Sequence, residues 1–413
     1  MAALPAAPGS KIVLATLYGG GSPDWLLGPL RFAGIDFSSG PNAGWRYFQG
    51  LWLALVLYAV VLVCVRGLSR RVVVAAIVAL HVLFALAPPL LSQDVFSYIA
   101  YARLGAEHGL DPYTHSPLDI AADPVFAFAG SKDAVSVYGP LFTLPSYALA
   151  PLGVAGAFWV MKALTAAASL GVVALVWRGA ERLGRDPRAP ALLVGLSPLV
   201  LVHVVGAAHN EALVLLLATA GVYAFICARP AAAGAWSTAA AGVKASAAIV
   251  VPYLVLASRP RLRRALLGAV AAVAGLVALG LIGFGTNVFD AFGLLSSNQG
   301  RTSKLSLPYK TAELLGALLP GDRVDYRDAV RALLAVGFAA VAAWTLWRTW
   351  RGADPIRMAG WATLAILVAS AWLVPWYVLW LLPLAALAAD RRLTVATVVL
   401  SGWVLAIGIP GVY

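Results

Sequence analysis

Asp94 stands in Leu91-Ser-Gln-Asp94-Val-Phe-Ser-Tyr98-Ile-Ala-Tyr101-Ala-Arg103, directly after an apolar run that ends in Pro88-Pro89. A carboxylate just past such a run can be held partly desolvated and aimed to take a proton from a reacting hydroxyl. Asp94, Tyr98, Tyr101 and Ala102 recur at i, i+4, i+7 and i+8, so a helix here puts the acid and both tyrosines on one face. The opposite register turns Phe96, Ile99 and Leu104 toward lipid or protein. The competing reading is that Asp94 merely caps this helix, because acids stabilise helix N-termini. Gly109-Leu110-Asp111-Pro112-Tyr113-Thr114 then reads as a helix stop and a turn, with Gly near the C-cap and Pro fixing φ.

His209-Asn210-Glu211 sits between two long apolar runs. It is either a polar turn between antiparallel helices or a set of groups that hydrogen-bond sugar hydroxyls or a phosphate. With no second acid nearby it makes a poor divalent site, and no metal is expected. Pro375-Trp376-Tyr377, with Trp372 and Trp380, suits an interfacial aromatic belt as well as a platform for the C–H faces of sugars. Tyr138-Gly139-Pro140 reads as a turn into an apolar helix over 141–151. Lys162 and Lys244 lie inside apolar runs, where each costs about 2.5–3.5 kcal/mol at mid-membrane and so asks for a reason. Lys162 can snorkel or pair within a bundle. Lys244 can reach a phosphate or bond backbone carbonyls.

The elements that must hold these residues are set by composition. The 413 residues are 61% hydrophobic and 12% charged, against roughly 45–50% and 25% in soluble domains, and mean hydropathy is +0.85. That excludes disorder, coiled coil, a secreted disulfide scaffold and a cytosolic enzyme, and leaves an all-α polytopic membrane protein. The net charge of +12 raises the question of nucleic acid. However, the basic residues gather in short clusters between apolar runs: Arg66/Arg70/Arg71, Arg178/Arg182/Arg185/Arg188, Arg229, Arg259/Arg261/Arg263/Arg264, Arg348/Arg351/Arg357 and Arg391/Arg392. Short basic loops beside spans mark the cytoplasmic side, so the charge sets topology and no nucleic acid is expected. Cys64 and Cys227 fall inside apolar runs and form neither a disulfide framework nor a zinc site.

Candidate spans are 11–33 (interrupted by Gly19-Gly20-Gly21), 48–65, 72–91, 153–178, 190–206, 210–228, 264–285, 329–348, 358–374, 375–389 and 393–411, about eleven in all. The run 232–257 has basic residues at both ends and is expected to be a re-entrant hairpin with Lys244 and Ser246 at its tip, since non-helical backbone is allowed where it lines a protein cavity. Segments 92–152, 206–210 and 286–328 then face the extracytoplasmic side. Twelve of the 18 acids lie in or beside them, and no Asp-x-Asp pair occurs among them. The whole chain, 1–413, is expected to be one integral membrane domain whose loops 92–152 and 286–328 form the active-site face. No twin-Arg or clear cleavage site marks a removed signal peptide.

Five motifs in order resemble one family. Asp94-Val-Phe-Ser-Tyr98, Gly109-Leu-Asp111-Pro-Tyr113, Val137-Tyr138-Gly139-Pro140-Leu-Phe142, His209-Asn210-Glu211 and Val374-Pro375-Trp376-Tyr377 before Trp380 are similar to the polyprenol-phosphate-mannose-dependent α-1,6-mannosyltransferases of actinobacteria, over about residues 48–390. The resemblance implies the C-type glycosyltransferase fold, with amphipathic helices in the extracytoplasmic loops. It implies as well a carboxylate in the first outer loop, here Asp94, as general base for the acceptor hydroxyl. The residue after Asp94 is Val95, so the acidic pair of some relatives of this fold is missing.

The chemistry so implied is inverting transfer of mannose from a polyprenyl phosphate to an extracytoplasmic glycan or glycolipid, with membrane lipids as surroundings and no cofactor. A lipid phosphate leaving group needs cations at the membrane surface. Arg301, Lys304 and Lys310 in Asn298-Gln-Gly-Arg301-Thr-Ser-Lys304-Leu-Ser-Leu-Pro-Tyr-Lys310 can supply them, with Lys244 from the hairpin. The same cations also suit an ordinary solvated loop. Tyr98, Tyr101, Asp111, Tyr113, Tyr138, His209, Asn210, Glu211, Trp376 and Tyr377 are the expected substrate contacts. Transfer of another sugar such as arabinose, a lipid or sugar transporter, and a non-catalytic scaffold are the alternatives. A transporter should show matched halves and charges at the midplane, whereas here the polar residues gather on one face.

Overall fold

The computed structural model describes residues 23–30, 43–90, 92–290 and 302–407. Its described residues are helical, with no strand among them. In chain order the α-helices are α1 (Asp24–Leu27), α2 (Ala43–Cys64), α3 (Arg70–Leu86), α4 (Asp94–His108), α5 (Pro140–Ser146), α6 (Gly153–Arg182), α7 (Arg188–Gly195), α8 (Glu211–Ile226), α9 (Pro230–Ala241), α10 (Val251–Ala257), α11 (Leu262–Phe284), α12 (Leu307–Leu318), α13 (Arg323–Trp350), α14 (Pro355–Ala369), α15 (Leu382–Ala388) and α16 (Arg391–Ile407).

Among the described residues four helical stretches are long and apolar enough to cross a bilayer: Tyr47–Gly67, Pro140–Arg182, Leu262–Phe289 and Arg323–Trp350. Their outward faces carry Leu57, Val63, Val270, Ile282, Leu333 and Val336, each more than half exposed. Apolar belts of that kind need lipid around them. The run 190–206, expected as one span, is instead a pair, α7 and a π-helical turn Val200–Gly206, bent by 59°. Ser197-Pro198 lies at the break, and a proline ring cannot join the hydrogen-bond ladder of an unbroken helix. Other apolar helices are shorter, Glu211–Ile226 and Pro355–Ala369 among them, and are covered by neighbouring helices over much of their surface. The expected first run, 11–33, lies mostly outside the described residues. Within 23–30 it contributes the single turn α1, too short to be a span.

The run 232–257 is a hairpin. Helix α9 and the pair formed by the 3-10 turn Ala245–Val250 and α10 are its arms, and Gly242-Val243-Lys244 is its tip. At its base Gly234 and Gly268 allow backbone contact with Ala265 and Ala231, where any added Cβ would collide with a carbonyl oxygen. The other arm ends at Ser258, just before α11 starts. Both ends therefore lie at one end of α11, while the tip meets Leu276 far along it.

The expectation that Phe96, Ile99 and Leu104 face lipid or protein resolves to protein. Every residue from Val95 to Ala102 is buried. The Phe96 ring stacks on Phe158 at 5.5 Å and meets Phe128 at 5.3 Å. Gly109, with φ 65°, ends α4 in the left-handed conformation that a glycine adopts without strain. The loop beyond α4 is pinned by Asp123, which accepts from Arg103 Nε at 2.9 Å and pairs with His108 Nε2 at 2.8 Å. The expected helix 141–151 is the short α5 followed by a 3-10 turn, Tyr147–Leu152.

Burial pushes the Asp123 carboxyl up, but the hydrogen bonds from Arg103, His108 and the Val125 N–H more than offset this and hold it below the usual carboxylate range. A depressed folded pKa means that this stabilisation is complete above the unfolded value and lost as pH falls through the lowered one. Asp123→Ala is thus expected to cost ~2 kcal/mol at neutral pH. Thermal unfolding in detergent should show its gap from the native protein narrowing once pH drops below the ordinary carboxylate range. A gap independent of pH would show that the charge contributes nothing.

Lys162 neither snorkels nor pairs with an acid. It is fully enclosed, and Nζ donates to the carbonyls of Phe84 (2.8 Å), Ala87 (2.8 Å) and Gly206 (3.0 Å). These oxygens end α3 and the π turn, where unsatisfied carbonyls carry negative dipole ends that a cation neutralises. One ammonium therefore ties together the two backbone segments that lead to Asp94 and to His209.

Candidate active site

Asp94 is the first residue of α4, and Gln93 is the N-cap, with no side-chain cap bond at that end. Its backbone N–H donates to Ser92 Oγ at 3.2 Å. Asp94 is therefore not the N-cap, although it stands in the first turn, where an acid is favoured by the helix dipole. The side chain is one-third exposed, and Oδ2 lies 3.6 Å from Nε2 of the fully buried His209. One turn on, the Tyr98 hydroxyl donates to Asn210 Oδ1 at 3.3 Å and stands 3.4 Å from His209 Nδ1. The shared face predicted from the 4-residue spacing thus points at the turn carrying His209, Asn210 and Glu211.

That turn is a buried junction rather than a solvated one. His209, Asn210 and Glu211 are at most 2% exposed. Glu211 Oε2 meets His209 Nδ1 at 3.0 Å, and Oε1 takes an ion pair from Lys244 at the hairpin tip. The His209 ring packs on Trp376 at 4.4 Å, and Lys244 Nζ sits 4.8 Å above the Tyr377 ring. The tip itself is fastened by backbone contact: Gly139 N–H donates to Val243 O at 3.0 Å. A Cβ on Gly139 would strike Gly242 O, so this position of the Tyr-Gly-Pro motif has to be glycine for the loop and hairpin to meet. Lys244, Glu211, His209 and Asp94 form a continuous charged and polar chain from the hairpin to α4.

The remaining expected residues divide. Tyr138 joins the cluster, its ring edge-on to Tyr98 at 4.9 Å. Burial first, then Asp94 among the neighbouring charges, raises the hydroxyls of both Tyr138 and Tyr101 above the ordinary tyrosine value. Both stay protonated hydrogen-bonding groups. Tyr101 donates to Ala134 O at 3.0 Å. Tyr113 lies behind the site and donates to Tyr138 O at 2.7 Å. Asp111 accepts from Tyr113 N at 2.8 Å and Asn287 Nδ2 at 3.0 Å, and so orders the loop after α4. Of the four cations proposed for a phosphate, Lys244 is in the cluster, Lys304 is exposed, and Lys310 pairs with Glu313 at 2.7 Å. Arg301 lies outside the described residues.

Sequence reasoning missed the Lys244–Glu211 pair, because 33 residues separate the partners and no spacing rule spans a hairpin. It also missed Ser97. Ser97 Oγ, Asn210 Nδ2 and His209 Nε2 are buried polar atoms without a hydrogen-bond partner. Such groups can take a water or a bound hydroxyl. The only local signal was a small polar residue three positions after Asp94. The arrangement as a whole sets an accessible carboxylate beside an imidazole, unspent donors and a cation. That suits proton removal from a hydroxyl next to a negatively charged leaving group.

A sequence profile described as alpha-(1->6)-mannopyranosyltransferase, N-terminal domain, matches residues 39–260, and one described as MptB C-terminal domain matches 312–411. Alpha-(1->6)-mannopyranosyltransferase A of Mycobacterium tuberculosis is 30% identical over 408 residues, covering 88% of this chain and 77% of the relative. Alpha-(1->6)-mannopyranosyltransferase A of Corynebacterium glutamicum is 28% identical over 195 residues, 46% of this chain and 38% of the relative. A probable alpha-(1->6)-mannopyranosyltransferase of Mycolicibacterium smegmatis is 31% identical over 163 residues, 38% of this chain and 29% of the relative.

Proposed function

The chain belongs to the alpha-(1->6)-mannopyranosyltransferase family and is a membrane glycosyltransferase; from that premise we propose that it transfers mannose, with inversion, from a polyprenyl phosphate donor to an extracytoplasmic glycan or glycolipid, Asp94 acting as general base. The observation that carries this reading is the partly exposed Asp94 carboxylate set 3.6 Å from buried His209. Asp94 takes the acceptor O–H proton while the oxygen attacks the anomeric carbon and the C1–O bond to phosphate breaks, its electron pair leaving with the phosphate. A single displacement of this kind turns a β-linked donor into an α-linked product and needs no covalent intermediate.

Lys244, already at the cluster, is the first cation for the leaving phosphate. Arg301 and Lys304 are further candidates for that phosphate, with Lys310 once it releases Glu313. Trp376, Tyr377 and Tyr138 line the sugar, with Tyr98 and Asn210 buried behind them. Tyr101, Asp111 and Tyr113 shape the loop that covers it. The scheme uses no divalent cation. The whole chain acts as one domain of the C-type glycosyltransferase fold, with this site on the extracytoplasmic face.

The test is a donor panel with the purified protein in lipid nanodiscs. Polyprenyl phosphate mannose is expected to give α-linked mannosyl product, with GDP-mannose inert. Product from a polyprenyl phosphate pentose and none from the mannosyl donor would overturn the assignment of the sugar.

A further inference from the structure

We propose that Glu211 is a positioning residue: it holds His209 with Nδ1–H toward itself, so that Nε2 faces Asp94 as a lone pair and accepts the proton that Asp94 removes from the acceptor. The inference rests on the assignment of Asp94 as the base. It takes Glu211 out of the set of sugar-binding groups.

Glu211 and His209 are fully buried, so neither side chain can meet a sugar hydroxyl without rearrangement. An ionised carboxylate has only acceptors to offer, which makes Nδ1 the donor in the 3.0 Å contact with Glu211 Oε2. Lys244 engages the other carboxylate oxygen and prevents it from turning away. The Trp376 ring, tilted by 34° at 4.4 Å, fixes the imidazole plane. A neutral ring in this tautomer presents Nε2 without a hydrogen, and Nε2 has no hydrogen-bond partner. Its 3.6 Å separation from Asp94 Oδ2 exceeds hydrogen-bond length. Two acceptors facing one another stand off in this way, and a proton placed between them closes the gap.

The groups facing His209 come from every side. Asp94 and Tyr98 approach from α4, Lys244 through Glu211 from the hairpin tip, and Trp376 and Tyr377 from the 3-10 turn Pro375–Leu381; His203 of the π turn shares the Trp376 ring at 6.0 Å. Tyr138 lies beyond Tyr98. The proton balance is simple. The acceptor proton passes to Asp94 as the new glycosidic bond forms, then from Asp94 to His209 Nε2. The imidazolium so formed is neutralised by Glu211, and its proton leaves finally with the released lipid phosphate. Asp94 is returned ionised for the next acceptor.

The test uses the full chain in nanodiscs with 15N-labelled histidine, the His209 resonances being assigned by their loss in His209→Gln. The native protein is expected to show the Nδ1-protonated tautomer. Glu211→Gln is expected to lose that preference, to lower kcat by ~10–100-fold and to shift the acid limb of the kcat–pH profile. Glu211→Asp keeps the charge opposite Lys244 but draws the carboxylate off Nδ1, so it guards against simple misfolding. It is expected to show mixed tautomers and a kcat lowered by ~10-fold. A native His209 protonated on Nε2 alone would overturn the proposal, as would Glu211 variants with the native pH profile and kcat and only a lowered melting temperature. If Glu211 variants behave natively while Asp94→Asn is dead, only the positioning role falls; if Asp94→Asn retains transfer, the base assignment falls with it.

Discussion

Asp94→Asn is expected to reduce mannosyl transfer by ~1,000-fold, the scale on which a positioned general base acts, while leaving the fold and donor binding in place. The asparagine has nearly the same shape. The native carboxylate makes no cap bond at the start of α4 and is one-third exposed, so its charge adds only the helix-end contribution of about 0.3–1 kcal/mol. What changes is the capacity to accept a proton, because a primary amide is not basic at neutral pH. The measurement is single-turnover transfer from polyprenyl phosphate mannose, alongside melting temperature and donor binding by intrinsic tryptophan fluorescence. Trp376 and Trp380 stand on the site's 3-10 turn, which suits them as reporters. Wild-type single-turnover rates in Asp94→Asn would remove the carboxylate from the mechanism.

Lys162→Met is expected to lower stability by ~4 kcal/mol, the largest effect of any change distant from the chemistry. Methionine fills the space of the lysine stem but donates nothing, so the carbonyls of Phe84, Ala87 and Gly206 lose the ammonium that reaches all three. Desolvation of the native charge offsets part of that loss. The loss cannot vanish, because backbone carbonyls, unlike a side-chain partner, cannot be replaced by an apolar group. Since the same ammonium ties down the segments leading to Asp94 and His209, kcat should fall in company with the melting temperature. Unfolding of Lys162→Met in detergent at the native temperature would show that those carbonyls find other donors.

Periodicity placed Asp94, Tyr98 and Tyr101 on one face of a helix that the structure contains, and Gly109 at its end. Charge at both ends of 232–257 led correctly to a hairpin with Lys244 at its tip. Both inferences use forces that act over a few residues or along the membrane normal. In the run 190–206 the structure adds a 59° bend that hydropathy does not see, because one proline breaks an otherwise apolar segment. Lys304 and Lys310 were grouped with the cluster on charge alone, and the structure turns one to solvent and gives the other to Glu313.

The membrane surroundings, the family and the helical face shared by Asp94, Tyr98 and Tyr101 were thus legible along the chain. These follow from composition, from the cost of burying charge in hydrocarbon, and from residues close together along the chain. Only the tertiary structure decided that Glu211 belongs to Lys244 and His209 rather than to a sugar, and that Lys162 serves three carbonyls. A buried charge takes whichever partner the packing of distant segments brings within about 3 Å, and no pattern along the chain carries that information.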